Sequence, residues 1–184
     1  MEKLSLKQLT LKTIALMAIS SSDRGQTLHL ASVKDMQIFN EKILFFIRDK
    51  LKHTRKIIKP CVITCVPSTI SELNVSSYVS YYIEKTQEFR GETNQLFISW
   101  VTKKPVTKQT LARWLKTVLA LAGIDTKFFK AHSYRGAGLS KAYQKGATIN
   151  QIVEAGKWSN SNTFLRYYNA PCQEADIQNV ILEN

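Results

Sequence analysis

The stretch AHSYRGAGLS, residues 131–140, places an imidazole and a guanidinium three positions apart among small residues. His132 and Arg135 would therefore lie one turn apart near the start of a helix. A guanidinium is a permanently charged planar donor and an imidazole can give or take a proton, so the pair suits a phosphate or another oxyanion. Glycine weakens a helix, yet it lets a ligand come close to the backbone. On its own the pair is still more typical of a solvated helix face.

Four further side chains carry the same ambiguity. Arg24 stands at a predicted helix start after the polar break SSSD, and Trp158 lies in GKWSNS. Two adjacent tyrosines, Tyr167 and Tyr168, lie near the C-terminus. Taken singly, a surface arginine, a core tryptophan and packing tyrosines are the expected interpretations. Their order along the chain favours a chemical interpretation.

That order resembles the catalytic segment of the tyrosine recombinases, the phage integrase family. The stretch AHSYRGAGLSKAYQKGATINQIVEAGKWSNSNTFLRYYNAP contains an H-x-x-R box, a helix of small residues, the pattern I-x-x-x-G-x-W and a terminal tyrosine. Upstream, DRGQTLHLASVKDM resembles the box that carries the family's first arginine. The resemblance covers nearly the whole chain. The phrases RGQT and TFLRYYNAP are most similar to recombinases carried by eukaryotic mobile elements.

The resemblance implies a phosphoryl transfer that needs no metal, no ATP and no small-molecule cofactor. A tyrosine oxygen attacks the scissile DNA phosphate and forms a 3′-phosphotyrosyl link with a free 5′-hydroxyl. Arg24 and Arg135 would stabilise charge on the two non-bridging oxygens. His132 would hydrogen-bond the phosphate or assist proton transfer, and Trp158 would donate its indole N–H. The implied partner is double-stranded DNA, with self-association of the protein on that DNA.

The leaving 5′-oxygen needs a proton, and in the resembled family a lysine in the turn of the small sheet supplies it. The corresponding turn here offers Lys50 and Lys52, and LKHTR matches the K-x-[ST]-R look of the eukaryotic group, which favours Lys52. Lys50 stays an alternative because it lies two residues away. Arg48, Arg55, Lys50 and, on the later helix, Lys141 are expected to contact the DNA backbone.

Which tyrosine attacks is left open by the pattern. A spacing of nine residues from Trp158, usual for phage and bacterial relatives, selects Tyr167. The relatives carried by mobile elements tend to read T-F-x-x-F-Y-N-x-P, with the tyrosine one place later. The YNAP context matches that pattern, so we predict Tyr168 as the nucleophile and keep Tyr167 as the alternative.

Two departures from the family pattern bear on the prediction. Three positions after the first arginine many relatives carry an acidic residue, and here Thr27 stands instead, so the orientation of Arg24 is less assured. Relatives also have an N-terminal core-binding domain, which we expect to be absent. We therefore predict a single catalytic domain over residues 1–184, with a tail helix over residues 172–184.

The amino-acid composition limits the classes of protein to which the chain can belong. The 184 residues suit one domain, and 44% hydrophobic residues are enough for a core. A net charge of +12 and a pI near 9.7 indicate a polyanionic partner, with nucleic acid first. Three cysteines in the spacing C-x3-C plus one predict thiols rather than a metal site. No segment approaches a membrane span, and a location in the nucleus is expected if the protein is eukaryotic, otherwise in the cytoplasm.

Periodicity predicts the elements that must position these residues: mainly α with a small three-stranded antiparallel sheet (α+β). The resemblance implies that this is the fold of tyrosine recombinase catalytic domains. The first helix is predicted from Leu6 to Ser20, and a second follows Asp23 as its N-cap. VKDMQIF, KILFFIR and RKIIKPCVIT are predicted strands, with a turn at NE, and LFIS a lone strand. The other predicted features are helix 70–87 with Leu73, Val75, Val79 and Ile83 inward, Thr107 and Thr148 as N-caps, Gly123 and Gly146 as helix ends, and a last helix Thr163–Tyr168.

Two other function classes fit the same residues. A DNA-binding module could keep the fold without the catalytic activity. A DNA-relaxing enzyme with the related type IB topoisomerase chemistry would use similar residues, although the H-x-x-R phrasing favours recombinases. Two observations distinguish the recombinase, the binding module and the relaxing enzyme. They are a covalent adduct with DNA and relaxation of plasmid without a specific site.

Overall fold

The computed structural model describes residues 3–48 and 61–167. The described chain is mainly helical with one small antiparallel sheet, as predicted. In chain order its elements are α1 (Leu6–Ser21), α2 (Gly25–His29), β1 (Met36–Phe39), β2 (Lys42–Ile47), β3 (Cys61–Cys65), a 3-10 turn (Ser71–Leu73), α3 (Val75–Thr86), a 3-10 turn (Gln87–Phe89), α4 (Lys108–Leu121), α5 (Ser133–Gln144), α6 (Ile149–Ala155) and α7 (Asn162–Tyr167).

Helix α1 is the central core helix of the N-terminal part. A capping box starts it, because the Ser5 side chain accepts from the backbone N–H of Gln8 while the Gln8 side chain accepts from the N–H of Ser5. Four side chains on one face of this helix are all buried: Leu9, Thr13, Leu16 and Met17. A buried helix of this kind fixes where its C-terminal end lies, and the residues after that end belong to the candidate site.

The sheet has the order β1-β2-β3 with both pairs antiparallel. The predicted NE turn is confirmed: Asn40 and Glu41 have φ of 46° and 61°, which suits a two-residue hairpin loop. Strand β2 alternates, so that Ile43, Phe45 and Ile47 are buried on one face. The third predicted strand is observed from Cys61, and residues 55–60 of that prediction lie outside the described residues.

Two predictions in the middle of the chain are wrong. Leu73 is 49% exposed rather than inward, because a 3-10 turn precedes α3 and Asn74 caps that helix by accepting from the N–H of Ser77. LFIS is not a strand but a buried segment held by single bridges, with Ser32 paired to Gln95 and Ile98 paired to Pro105. Val75 and Val79 are buried as predicted, and Ile83 is half-buried.

The later helix boundaries follow local signals. Thr107 caps α4 by accepting from the N–H of Thr110, and Gly123 follows that helix with φ of +74°. Gly146 follows α5 with φ of +93°, and Thr148 forms the predicted capping box with Gln151 at the start of α6. The last predicted helix is observed as α7, and the predicted tail helix over 172–184 lies outside the described residues.

Contacts divide the chain into two compact units, with the division between Gly138 and Leu139. The first unit holds the main hydrophobic core, in which α1 packs against α3, α4 and β3. The second holds a smaller cluster of buried Leu139, Ile152 and Phe164. Of the helices in the described part of the chain, none is both long and apolar enough to cross a membrane.

Candidate phosphate-binding site

The break between α1 and α2 holds the first candidate arginine. Ser22 takes a left-handed conformation with φ of 52°, and Arg24 is the extended N-cap residue of α2. The prediction that Asp23 caps α2 is therefore wrong, because Arg24 occupies that position. Asp23 is instead buried, with 6% of its surface exposed. Sequence reasoning missed it as a site residue, since no local pattern marks an aspartate whose carboxylate becomes buried.

Arg135 connects this break to the start of α5. Its guanidinium is buried, with 5% exposure, and Nη1 donates to the carbonyl oxygen of Ser22 at 3.1 Å. Arg24 follows Ser22 by two residues, so their Cα atoms can be no more than roughly 7 Å apart. The structure thus brings the Arg135 side chain to the chain segment that carries Arg24, although 113 residues separate Ser22 from Arg135.

Gly138 makes this approach possible. A Cβ atom at Gly138 would lie 2.4 Å from the backbone oxygen of Ile19 and 2.5 Å from the Oγ of Ser22, both at the end of α1. Real Cβ atoms do not approach backbone oxygens that closely, so only glycine fits at this position. The small residues after Arg135 therefore serve the packing of two protein segments, which places the guanidinium beside Ser22.

His132 precedes α5 and is exposed, in the same unit as both arginines. Its carbonyl oxygen accepts from the N–H of Arg135, and the N–H of Ser133 bonds the carbonyl of Lys130, which closes the turn. Tyr134, between them, is buried and donates its hydroxyl to the Leu115 carbonyl at 3.1 Å. Burial raises the pKa of Tyr134 to about 12, so its phenolate is strongly disfavoured and this tyrosine anchors α5 to α4.

Trp158 belongs to the second unit. Its ring lies against the buried cluster, with its centroid 6.2 Å from that of Phe164. Gly156 is required beneath it, because a Cβ there would lie 2.5 Å from a carbon of the indole ring. The G-x-W part of the motif is thus a packing unit that fixes the indole. Trp158 remains half-buried, with part of its surface exposed to solvent.

Of the candidates for nucleophile and general acid, the structure describes only Tyr167, the alternative nucleophile. Tyr167 is the last residue of α7, while Tyr168, Lys50, Lys52 and Arg55 lie outside the described residues. Of the predicted DNA-backbone contacts, Lys141 is exposed on α5. Arg48 is 80% exposed and its Nε donates to Asp35 at 2.5 Å. The roles of these residues stay predictions.

Within residues 3–48 and 61–167, no three His, Cys, Asp or Glu side chains form a group that could hold a metal ion. Of the cysteine pair, Cys65 is buried in β3. Burial, and secondarily the negative charge of Asp23, raise the pKa of the Cys65 thiol to about 12. Arg24 and Arg135 have guanidinium N–H donors, which suit an anion.

Residues 2–174 match the family model described as "Phage integrase family". The structure is similar to the XerH site-specific recombinase bound to palindromic difH substrate, at 16% identity and a TM-score of 0.73, covering 100% of this chain and 48% of that one. It is also similar to the XerA recombinase, at 13% identity and a TM-score of 0.68, covering 95% and 63%. The Tn1549 transposon integrase in complex with transposon right end DNA matches at 15% identity and a TM-score of 0.61, covering 94% and 58%.

Comparison with curated protein sequences finds no match. The chain spans about half the length of the XerH chain and under two thirds of the other two. At these identities the structural matches establish the fold, which is the predicted one of tyrosine recombinase catalytic domains.

Proposed function

The chain belongs to the phage integrase family, and from that premise we propose that it cleaves and rejoins DNA strands through a 3′-phosphotyrosyl intermediate. The observation that carries the proposal is the buried Arg135 guanidinium bonded to the Ser22 carbonyl, two residues before Arg24. Two guanidinium groups from distant parts of the chain then serve one phosphate. A pair of planar, permanently charged donors suits the two non-bridging oxygens of a phosphodiester.

The proposed reaction is an in-line displacement at phosphorus. The tyrosine oxygen forms the new P–O bond as its proton passes to His132 or to water, and the bond to the 5′-oxygen of the next nucleotide breaks. That oxygen takes a proton from the general acid, which we propose to be Lys52, with Lys50 as the alternative. Because one phosphate ester replaces another, the reverse attack by a 5′-hydroxyl rejoins DNA without an external energy source.

The remaining roles follow from the exposure and chemistry of each side chain. His132 is exposed at the start of α5, where its imidazole can bond a phosphate oxygen or move a proton. Trp158 is held in place by its packing on Gly156 and has an indole N–H to donate. Losing one donor to a developing charge typically costs about 10²–10³ in rate.

We further propose that residues 1–184 act as one catalytic domain. Arg24, His132 and Arg135 belong to the first unit, whereas Trp158 and Tyr167 belong to the second. The net charge of +12 supports binding of double-stranded DNA, with Arg48, Lys50, Arg55 and Lys141 contacting phosphates. Self-association on DNA, a role in moving a mobile element and a location in the nucleus are parts of the same proposal.

Trapping the intermediate tests the proposal. The protein is incubated with a pool of random-sequence duplexes that carry a nick, so that a cleaved strand end diffuses away, and the products are separated on a denaturing gel. We expect a covalent protein–DNA band that disappears after protease treatment and is absent for Tyr168→Phe. Tyr167→Phe is the matched control, since it removes the neighbouring hydroxyl.

The outcomes separate the alternatives. A band retained in Tyr168→Phe and lost in Tyr167→Phe would reassign the nucleophile within the same chemistry. DNA binding without any covalent band in the wild-type protein would contradict the enzyme and favour a binding module of the same fold. Relaxation of supercoiled plasmid without a specific site would instead indicate topoisomerase-like activity.

A further inference from the structure

We propose that Asp23 is a positioning residue, whose buried carboxylate orients the guanidinium of Arg135 and the adjacent Arg24 toward the phosphate. This inference rests on the proposed function, and it concerns a residue to which none of the motifs above assigns a role at the phosphate. It starts from the burial of charge in the first unit.

Three charged side chains are buried in the described part of the chain: Asp23, Arg90 and Arg135. Asp23 is the one carboxylate among them. A carboxylate that leaves water is strongly destabilised unless a positive charge or several donors compensate it. A buried guanidinium has the same requirement for an acceptor. Two opposite charges that are buried close together are therefore expected to pair.

The backbone places Asp23 in that neighbourhood. Its N-terminal neighbour Ser22 accepts from Nη1 of Arg135 at 3.1 Å, and its C-terminal neighbour is Arg24. The Asp23 N–H donates to the Ser21 hydroxyl at 3.2 Å, which fixes the backbone at the end of α1. Asp23 thus lies between the residue that Arg135 contacts and the second arginine.

The other titratable neighbour cannot take this role. The Cys65 thiol on β3 is close enough that the charge of Asp23 contributes to raising its pKa. A thiol kept neutral in this way carries no positive charge with which to stabilise a carboxylate. Arg90 is committed elsewhere, to Thr86 and to the carbonyls of Gln95 and Leu96. Arg24 follows Asp23 in the chain, and Arg135 contacts Ser22, the residue before Asp23.

The position also explains the neutral residue at Thr27. Thr27 is buried, with 1% exposure, one helical turn after Arg24, and it carries no charge. In a helix the residue three positions on faces the same side, so a carboxylate there would be one way to orient Arg24. With threonine at that position, Asp23 supplies the negative charge from the other side of Arg24 along the chain.

The first test measures the pairing without any enzyme assay. Urea unfolding midpoints are compared for the wild type, Asp23→Asn, Arg135→Met and the double variant. If the two charges compensate each other, the midpoint lost on Asp23→Asn shrinks by about half or more when Arg135 is already replaced. Equal losses in both backgrounds would overturn the proposal. This result does not depend on whether the protein is a recombinase.

The second test measures positioning. Asp23→Asn should lower the rate of covalent adduct formation about tenfold or more at saturating DNA, at a temperature where the variant is folded. Since the variant removes a negative charge, electrostatics predict equal or tighter DNA binding, so a slower reaction cannot arise from weaker binding. Glu84→Gln, on the exposed side of α3, is the matched control for removing one carboxylate and should keep the wild-type rate.

If Asp23→Asn does not fold, Asp23→Glu replaces it, because it keeps the charge and moves the carboxylate by one methylene. It should slow the adduct with unchanged DNA affinity. A wild-type rate in whichever of these variants is assayed would overturn the positioning role. If the wild-type protein forms no adduct with any duplex, the proposed function fails, and the unfolding cycle alone decides whether Asp23 orients Arg135.

Discussion

Two buried arginines in the first unit show how differently one side chain can be used. Arg90 donates from Nη1 to the Gln95 carbonyl and from Nη2 to the Thr86 hydroxyl and the Leu96 carbonyl, at 2.7–2.8 Å. Its guanidinium also lies 5.7 Å from the centre of the Tyr82 ring. Arg135 instead donates to Ser22, which is 113 residues away. Arg90 ties neighbouring turns together, whereas Arg135 joins the two segments that carry the candidate site.

The surroundings of the two arginines differ in charge. Around Arg90 the acceptors are neutral oxygens, and in the described chain its Nε is a buried nitrogen without a hydrogen-bond partner. Burial lowers the pKa of Arg90, although an arginine stays protonated in proteins. Next to the residue that Arg135 contacts are a buried carboxylate and a second arginine. Burial of an arginine therefore does not mark a site, but its charged neighbours do.

Matched replacements of the two arginines should give the largest effects and separate their roles. Arg135→Lys removes a planar donor from the proposed phosphate site, so we expect the rate of covalent adduct formation to fall about 10²–10³-fold. Arg90→Lys removes donors to two buried acceptors and one half-buried acceptor, so we expect the free energy of unfolding to fall by about 1–3 kcal/mol with the rate retained. Adduct gels and urea unfolding measure the two quantities. A rate loss in Arg90→Lys alone would reverse the comparison.

The contrast also shows what the sequence could predict. Signals that depend on a few neighbouring residues were confirmed: the Thr107 N-cap, the Thr148 capping box and the NE turn. Each of these signals lies within fewer than five neighbouring residues. The fold followed from these signals together with the period of the apolar residues and the family resemblance.

The predictions that were wrong concern residues whose structure depends on contacts between distant segments of the chain. LFIS has the composition of a strand, but the N–H of Leu96 bonds the Ala31 carbonyl and the N–H of Ser99 bonds the Lys104 carbonyl, so no ladder forms. Asp23 has the composition of an N-cap, but it is buried, and Arg24 takes that position. The motif located Arg135, yet its bond to Ser22 and the role of Gly138 require the packing of α5 on α1.

Replacing two glycines, Gly138 and Gly25, should give smaller effects than the arginine replacements and tests how Arg135 is brought to Ser22. Gly138→Ala places a Cβ against the backbone oxygen of Ile19, so α5 must move away from α1. We expect a loss of about 1–3 kcal/mol in the free energy of unfolding. The rate of adduct formation should also fall, because the Arg135–Ser22 bond depends on this approach.

Gly25→Ala is the control for that experiment. Nothing lies within 4 Å of a Cβ at Gly25, which is the first residue of α2 and has an ordinary φ. Alanine there should leave the stability unchanged or raise it by about 0.4–1 kcal/mol. Urea unfolding measures both variants. Equal stability of the two alanine variants would show that the close approach of α5 to α1 is not required.

The smallest expected effect at neutral pH concerns two weakly acidic side chains, Tyr82 near Arg90 and Cys65 near Asp23. This effect on stability increases as the pH rises. Tyr82 has its pKa raised by burial while the charge of Arg90 acts in the opposite direction. The Cys65 thiol has its pKa raised from 9.0 to about 12 by burial, with the charge of Asp23 acting in the same direction. The folded protein therefore holds the Cys65 proton above the pH at which the unfolded chain releases it.

That difference is a stability term with a definite sign. It is fully present below about pH 9 and is lost as the pH rises toward about 12, because only the unfolded state then gains from ionisation. Each pH unit in this window is worth up to about 1.4 kcal/mol. Cys65→Ala removes the thiol, so the urea midpoint of the variant should fall less steeply than that of the wild type across the window. The tyrosines titrate in both proteins and cancel in the difference between them. Parallel curves would mean that the Cys65 thiol does not feel the buried, negatively charged surroundings on which the contrast between the two arginines depends.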